Sequence, residues 1–247
     1  MNDRGALPGE DEVERLHIAV VIAGHSGDVD FGLAHLHHPQ GRIRASALNA
    51  LERLGRLEDS VLTASVLDPD PAVRRRVAEI ASRHTTVDLV PLLGDTDPLV
   101  VEMAAWACGE QHQSRDDTET EESRPATDDG VQRDVRERVI DRLMALASDH
   151  EDALVRESAV AALGAIGDER SLSAVLAGCS DKPAIRRRAV LALAQFSGPD
   201  VDAALLRALE DRDWQVRQAA EDVLGPEATS ARSALDDEEN SEQDEQD

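Results

Sequence analysis

The chain is predicted to be an all-α solenoid built from stacked helix pairs. Three observations carry that prediction: a start signal that recurs about every 30 residues, a helical apolar stripe behind each copy, and almost no aromatic residues. The start signal reads Asp70-Pro71-Ala72-Val73-Arg74, Asp97-Pro98-Leu99-Val100-Val101, Asp152-Ala153-Leu154-Val155-Arg156, Lys182-Pro183-Ala184-Ile185-Arg186 and Asp213-Trp214-Gln215-Val216-Arg217. A weaker copy runs Gln40 to Arg44, and a degenerate one runs Glu10 to Glu14.

With the β-branched residue of each copy as position zero, the set is Val13, Ile43, Val73, Val100, Val155, Ile185 and Val216. The spacings are 30, 30, 27, 55, 30 and 31. The value of 55 is accounted for by one polar segment without apolar periodicity, Glu110 to Asp134, so seven copies belong to one array. Apolar or small residues recur at offsets 0, 4, 7, 8 and often 11, which is one helical stripe and not a strand alternation. Offset 4 is Ala47, Val77, Ala104, Ala159, Ala189 and Ala220, small enough for neighbouring helices to approach closely. His17 takes that slot in the first copy, where a terminal repeat has a single neighbour.

Each copy opens an inner helix. Asp70, Asp97, Asp152 and Asp213 are placed to cap free backbone N–H groups as N-caps. Pro71, Pro98 and Pro183 follow at the first helical position, where a missing N–H costs nothing. The outer helices fall at Val29–Leu36, Leu57–Leu67, Val87–Leu93, Val131–Ala147, Leu172–Ala177 and Val201–Leu209. Pro91 should leave the third of these short.

The motif Val155-Arg156-Glu157-Ser158-Ala159-Val160-Ala161-Ala162-Leu163-Gly164 resembles HEAT repeats, and specifically the short-period repeats of phycobilisome lyase HEAT-like proteins. The resemblance covers roughly residues 11–225. It implies an α-solenoid of six to seven repeats. It says little of function, because one fold hosts many. Deoxyhypusine hydroxylase, a related enzyme family, carries His-Glu pairs that hold iron. The matching offsets here, among them Arg75-Arg76, Glu157-Ser158 and Arg187-Arg188, contain none, and the sole His-Glu dipeptide, His150-Glu151, falls in a turn. No hydroxylase activity, metal or cofactor is therefore expected.

The domain layout expected is a disordered N-terminus (1–10), N-terminal repeats (11–109), a disordered acidic insertion (110–133), C-terminal repeats (134–225) and a disordered acidic tail (226–247). Net charge is −25, and Lys182 is the only lysine. The segments Glu110 to Asp134 and Gly225 to Asp247 carry net −6 and −8, leaving −11 on the rest. Acid spread over the folded body fits a protein adapted to high cytoplasmic salt, as in halophilic archaea; the plainer alternative is an ordinary acidic protein with acidic tails. Whether the two repeat blocks stack continuously, and whether the insertion occupies the groove, stays open.

No stretch is long and apolar enough for a membrane span. Cys108 and Cys179 read as buried small residues in a reducing cytoplasm.

Candidate chemistry comes down to arginines, histidines and an exposed face. Arg44, Arg74, Arg156, Arg186 and Arg217 follow position zero in register. They are read as a structural inter-repeat ladder, pairing with acids such as Asp68, Asp95 or Asp211, in preference to an anion-binding row. The triplets Arg74-Arg75-Arg76 and Arg186-Arg187-Arg188 lack aromatic stacking partners, so nucleic acid is not expected. His35, His37 and His38 are read as loop histidines, not metal ligands.

Offsets 2, 5 and 6 are expected to face out on the concave side, which makes Arg75, Glu79, Ala105, Trp106, Val160, Arg187 and Leu191 the candidate protein-binding residues. Trp106 either anchors a partner there or packs on its own outer helix or the insertion. The function expected is a monomeric, cytoplasmic, non-catalytic scaffold or adaptor for a protein partner. The alternative is a lyase-like or maturation accessory factor.

Overall fold

In a computed structural model of the chain, residues 8–118 and 129–225 are described, with side chains from 11–114, 130 and 133–225. Every regular element among them is helical. The chain divides into two compact units, residues 1–142 and 143–247, and the division falls within one helix.

The first unit holds inner helices α1 (Pro8–Ser26), α3 (Gly41–Arg53), α5 (Pro71–Ala81) and α6 (Pro98–Thr118). Each packs on the next. Outer helices α2 (Val29–Ala34) and α4 (Asp59–Ser65) lie between them, and α7 (Asp129–Asp149) runs into the second unit. That unit alternates inner helices α8 (Ala153–Ile166), α10 (Pro183–Ala192) and α12 (214–225) with outer helices α9 (Leu172–Gly178) and α11 (Pro199–Ala208).

The third outer helix is absent. Val87 and Leu89 are buried in non-helical backbone, and a single 3-10 turn, Leu92–Gly94, precedes α6. Pro91 lacks the N–H that would bond back to Val87, so only one turn closes around it, with the Leu92 and Leu93 N–H groups on the Leu89 carbonyl at 3.0 and 3.2 Å, and no longer helix forms.

The expected boundary at residue 110 also moves, since α6 continues to Thr118 and α7 starts at Asp129. Gln111 is the reason on one side. Its buried amide donates to the carbonyls of Ala81, His84 and Val87 at 2.9, 3.1 and 3.2 Å, fastening the helix beyond Gly109. At the N-terminus, α1 begins at Pro8, a favourable first helical position, three residues before the expected start. The remainder of the expected insertion (119–128), the tail (226–247) and residues 1–7 lie outside the described residues.

The core is the predicted stripe, made wider. Ile43, Val73, Val100, Val155, Ile185 and Val216 at position zero are buried, as are the offset-4 residues from Ala47 to Ala220. Offset 5 is buried as well, at Leu48, Ala78, Ala105, Val160 and Val190. This corrects the expectation that Ala105 and Val160 face a partner. At about 100° per residue, offsets 7 through 5 span an arc of about 160°. A helix flanked on both sides buries that much, whereas a one-sided stripe needs about 100°. Offset 1, the ladder arginine, falls inside the widened arc.

Small residues set the packing distance. A Cβ on Gly164 of α8 would lie 2.5 Å from the Cβ of Ala192 on α10, so only glycine permits that approach.

Candidate protein-binding face and the arginine ladder

The ladder has the same geometry in both units. Arg44 sends Nε and Nη2 to the two carboxylate oxygens of Asp68, at 2.8 and 2.5 Å. Arg74 does the same to Asp95 (2.5 and 2.8 Å), Arg156 to Asp181 (2.7 and 3.0 Å) and Arg186 to Asp211 (2.8 and 2.8 Å). The remaining Nη1 of each donates to a carbonyl in the turn before its own helix: His38, Asp68, His150 and Asp181 respectively. Arg217, in the last copy, makes this turn contact, to the Asp211 carbonyl, and among the described residues it has no fork to a carboxylate.

Each acid is used twice. Asp68, Asp95 and Asp211 also accept the backbone N–H two residues on, and Asp181 accepts that of Lys182. The Arg186 guanidinium holds the Asp211 carboxyl below the usual carboxylate range, and Asp95 and Asp181 are lowered by their arginines in the same way. The bidentate fork ties one repeat to the turn of the next, which is why arginine and not lysine recurs there.

Two histidines stand in the acid's slot, five residues before position zero. The Nδ1 of His38 accepts from the Gln40 N–H and that of His150 from the Asp152 N–H, both at 3.1 Å. In the copies that precede them, the ladder arginine is replaced by Glu14 and Val101. Where no guanidinium arrives, a neutral acceptor serves the turn. The chain alone contained this pairing rule, in the form Arg with Asp and non-Arg with His, and reading the histidines as loop residues missed it. His35 is likewise engaged, through Nδ1 to the Phe31 carbonyl at 2.7 Å. Among the described residues no group of three His, Cys, Asp or Glu side chains is arranged to hold a metal ion.

The N-caps form as a set. Asp70, Asp97, Asp152 and Asp213 each accept the backbone N–H two residues on at 2.9 Å.

Offsets 2 and 6 make the open face. Arg75 and Arg187 are exposed, Glu79 and Leu191 are half-buried, and Trp106 is 40% exposed. In the first unit this face folds into a groove of about 540 Å³ that runs across α1, α3, α5 and the start of α6. Val21, Ala45, Ala72 and Leu99 supply its apolar lining; Arg42, Arg75 and Arg76 supply its cations; Glu79 and Asp97 supply its acids. Arg75 and Glu79 are the two sequence-derived candidates that line it. Trp106 is on the same helix as Leu99 but does not line the groove.

Charge in the groove is largely committed. Arg42 meets Glu14 of α1 at 2.5 Å, Arg76 meets Glu79 at 2.7 Å, and Asp97 caps α6. At one wall the Nδ1 of His17 and the Oγ of Ser46 lie 2.8 Å apart, joining α1 to α3. Missing from the sequence reading were Arg42, Ala72 and Leu99, because offset −1 was not counted among the outward positions, and Ala45, which stands at offset 2 of the weaker copy.

Inner helices capped by aspartate, backed by outer helices and bound to their neighbours by arginine–aspartate forks define an α-helical repeat protein. Residues 129–184 match the family model for HEAT repeats, and residues 185–211 match that for the PBS lyase HEAT-like repeat. The chain is a HEAT-repeat protein with PBS lyase HEAT-like repeats. Among solved structures it is similar to an engineered protein (19% identity, TM-score 0.42, covering 84% of this chain and 82% of that one). It is also similar to human deoxyhypusine hydroxylase in complex with glycerol (19% identity, TM-score 0.35, covering 88% and 90%). No curated protein sequence matches the chain. No helix among the described residues is long and apolar enough to cross a membrane.

Proposed function

We propose that this HEAT-repeat chain is a non-catalytic scaffold or adaptor that binds a protein partner on its inner-helix face. HEAT repeats generally mediate protein–protein binding. The observation that supports the reading in this chain is the groove of the first unit, whose lining mixes apolar and charged side chains. Its walls come from four different inner helices, so it presents an extended surface and not a closed pocket. The ladder arginines and capping aspartates are committed to holding repeats together, which leaves offsets −1, 2 and 6 to meet the partner.

The acid-rich, lysine-poor composition supports a cytoplasmic protein working at high salt. Affinity purification from the native host in high-salt buffer, with mass spectrometry and an absorbance scan, tests the scaffold reading. One specific protein at comparable stoichiometry is expected, and its recovery should fall with Trp106→Ala. A chromophore or metal retained without a protein partner would refute the scaffold and favour the accessory-lyase alternative.

A further inference from the structure

We infer that the groove of the first unit takes an acidic peptide segment with interspersed apolar side chains, an inference that rests on the scaffold reading and specifies its partner. The lining carries three arginines against two carboxylates, in a chain whose net charge is −25. Arginines outnumber carboxylates in this lining, whereas acids outnumber bases in the chain as a whole.

The acids nearby are engaged. Glu14 holds Arg42, Glu79 holds Arg76, and the Asp97 carboxylate accepts the Leu99 N–H. Among the described residues no carboxylate is paired with Arg75, which stands exposed at the middle of the lining. A guanidinium in that position offers bidentate donors to a carboxylate. Around it Val21, Ala45, Ala72 and Leu99 give apolar contact at positions where a solvated helix face would carry charge.

A peptide fits this surface better than a nucleic acid does. Nucleic acid carries a charge about every 1.7 Å along a duplex and would extend past the three arginines over an acidic surface. A short acidic segment feels mainly the local cations, because charges beyond about 8 Å are screened at physiological salt. No Phe, Tyr or Trp lines the groove to stack a base; its one ring, His17, lies against the Ser46 hydroxyl.

The test uses the full chain and four fluorescent probes: a 12-residue peptide of alternating Glu and Leu, the same peptide with Lys for Glu, the same with Ser for Glu, and a dT12 oligonucleotide. Anisotropy is read in 0.2 M KCl. The Glu peptide should bind at least tenfold more tightly than the Lys and Ser peptides and dT12. Arg75→Glu should weaken it at least tenfold, with an unchanged thermal unfolding curve. Arg75→Lys should restore part of the loss. Equal or tighter binding of the Lys peptide, or an Arg75→Glu variant that binds like the parent, overturns the inference, as does failure of the Glu peptide to bind. Preference for dT12 overturns it in favour of nucleic acid. If the Ser peptide binds as well as the Glu peptide and Ala72→Arg abolishes both, the acidic specificity falls while the scaffold reading stands.

Discussion

Removing one rung of the ladder should cost more than a surface ion pair is worth. Arg186 is the rung to break, because its side chain is 8% exposed and that of its partner Asp211 is 15%. Arg186→Met removes two bonds to Asp211 and one to the Asp181 carbonyl. Asp211 keeps the Asp213 N–H, so the carboxylate is weakened in its setting but not orphaned. Breaking a buried pair costs about 3–5 kcal/mol, and the retained bond points to the lower end, about 3 kcal/mol. Exposed pairs give about 0.2–1 kcal/mol.

Repeat arrays need not unfold in one step, so a single melting temperature is a poor readout. Native-state hydrogen exchange at the amides of α10 reads the local free energy directly. A cycle of Arg186→Met, Asp211→Ala and the double variant isolates the pair from the lost turn contact. A coupling energy of about 1.5–3 kcal/mol is expected, little changed in 2 M KCl. Coupling under about 0.5 kcal/mol, or coupling that vanishes in 2 M KCl, would refute the view that these forks hold the repeats together.

Four further outcomes are expected. His84 sits between two carboxylates, with Nδ1 at 2.5 Å from Asp59 and Nε2 at 2.9 Å from Glu52, while Arg83 also reaches Glu52 and Thr86 donates to Asp59. Burial pushes its imidazole down, but the bonds to Asp59 and Glu52 outweigh that and hold the pKa above the ordinary value. Its contribution is therefore complete below about pH 6.5 and lost as pH rises through the raised value; the opening free energy at α5, taken from exchange relative to the intrinsic rate at each pH, should fall over that window, and His84→Gln should remove that fall. Asp152→Ala should cost about 1 kcal/mol in exchange at the start of α8, by loss of the cap to Leu154. Gly164→Val should destabilise the second unit by about 1–3 kcal/mol, measured by urea unfolding, because its Cβ would collide with Ala192. Burial raises the Cys179 thiol to about 11, so native protein at pH 7 should react with a disulfide reagent far more slowly than urea-unfolded protein.

The fold was legible because its signals are local and repeated. An aspartate cap, a proline at the first turn and a small residue at offset 4 each have one physical use, and the period places them. The missing outer helix was half legible: Pro91 signalled a short element, but that Val87 and Leu89 bury outside any regular helix depends on tertiary packing. The face was harder to read. A stripe drawn from offsets 0, 4, 7 and 8 implies one buried side, and it assigned Ala105 and Val160 to solvent. Their burial follows from having helices on both flanks, which periodicity in a single helix does not report. Offset −1, at Arg42, Ala72 and Leu99, lies outside the widened arc and completes the groove.

The ladder also changes what the composition means. Arginine in place of lysine looks like an adaptation of the surface, yet Arg44, Arg74, Arg156, Arg186 and Arg217 all donate through a guanidinium Nη1 to a turn carbonyl, and the first four add a planar fork that an ammonium does not have. Asp68, Asp95, Asp181 and Asp211 answer them, and Asp70, Asp97, Asp152 and Asp213 are spent on helix starts. Those eight acids and five arginines leave net −3 of the total charge fixed by architecture alone. The repeat therefore imposes arginine and aspartate in register whatever the solvent, and adaptation to salt has to be judged on the exposed glutamates and aspartates outside the register. Substituting the ladder arginines with lysine separates the two causes. If they serve the fold, stability falls at every salt concentration; if they serve solubility, the variants match the parent in 0.2 M and in 2 M KCl.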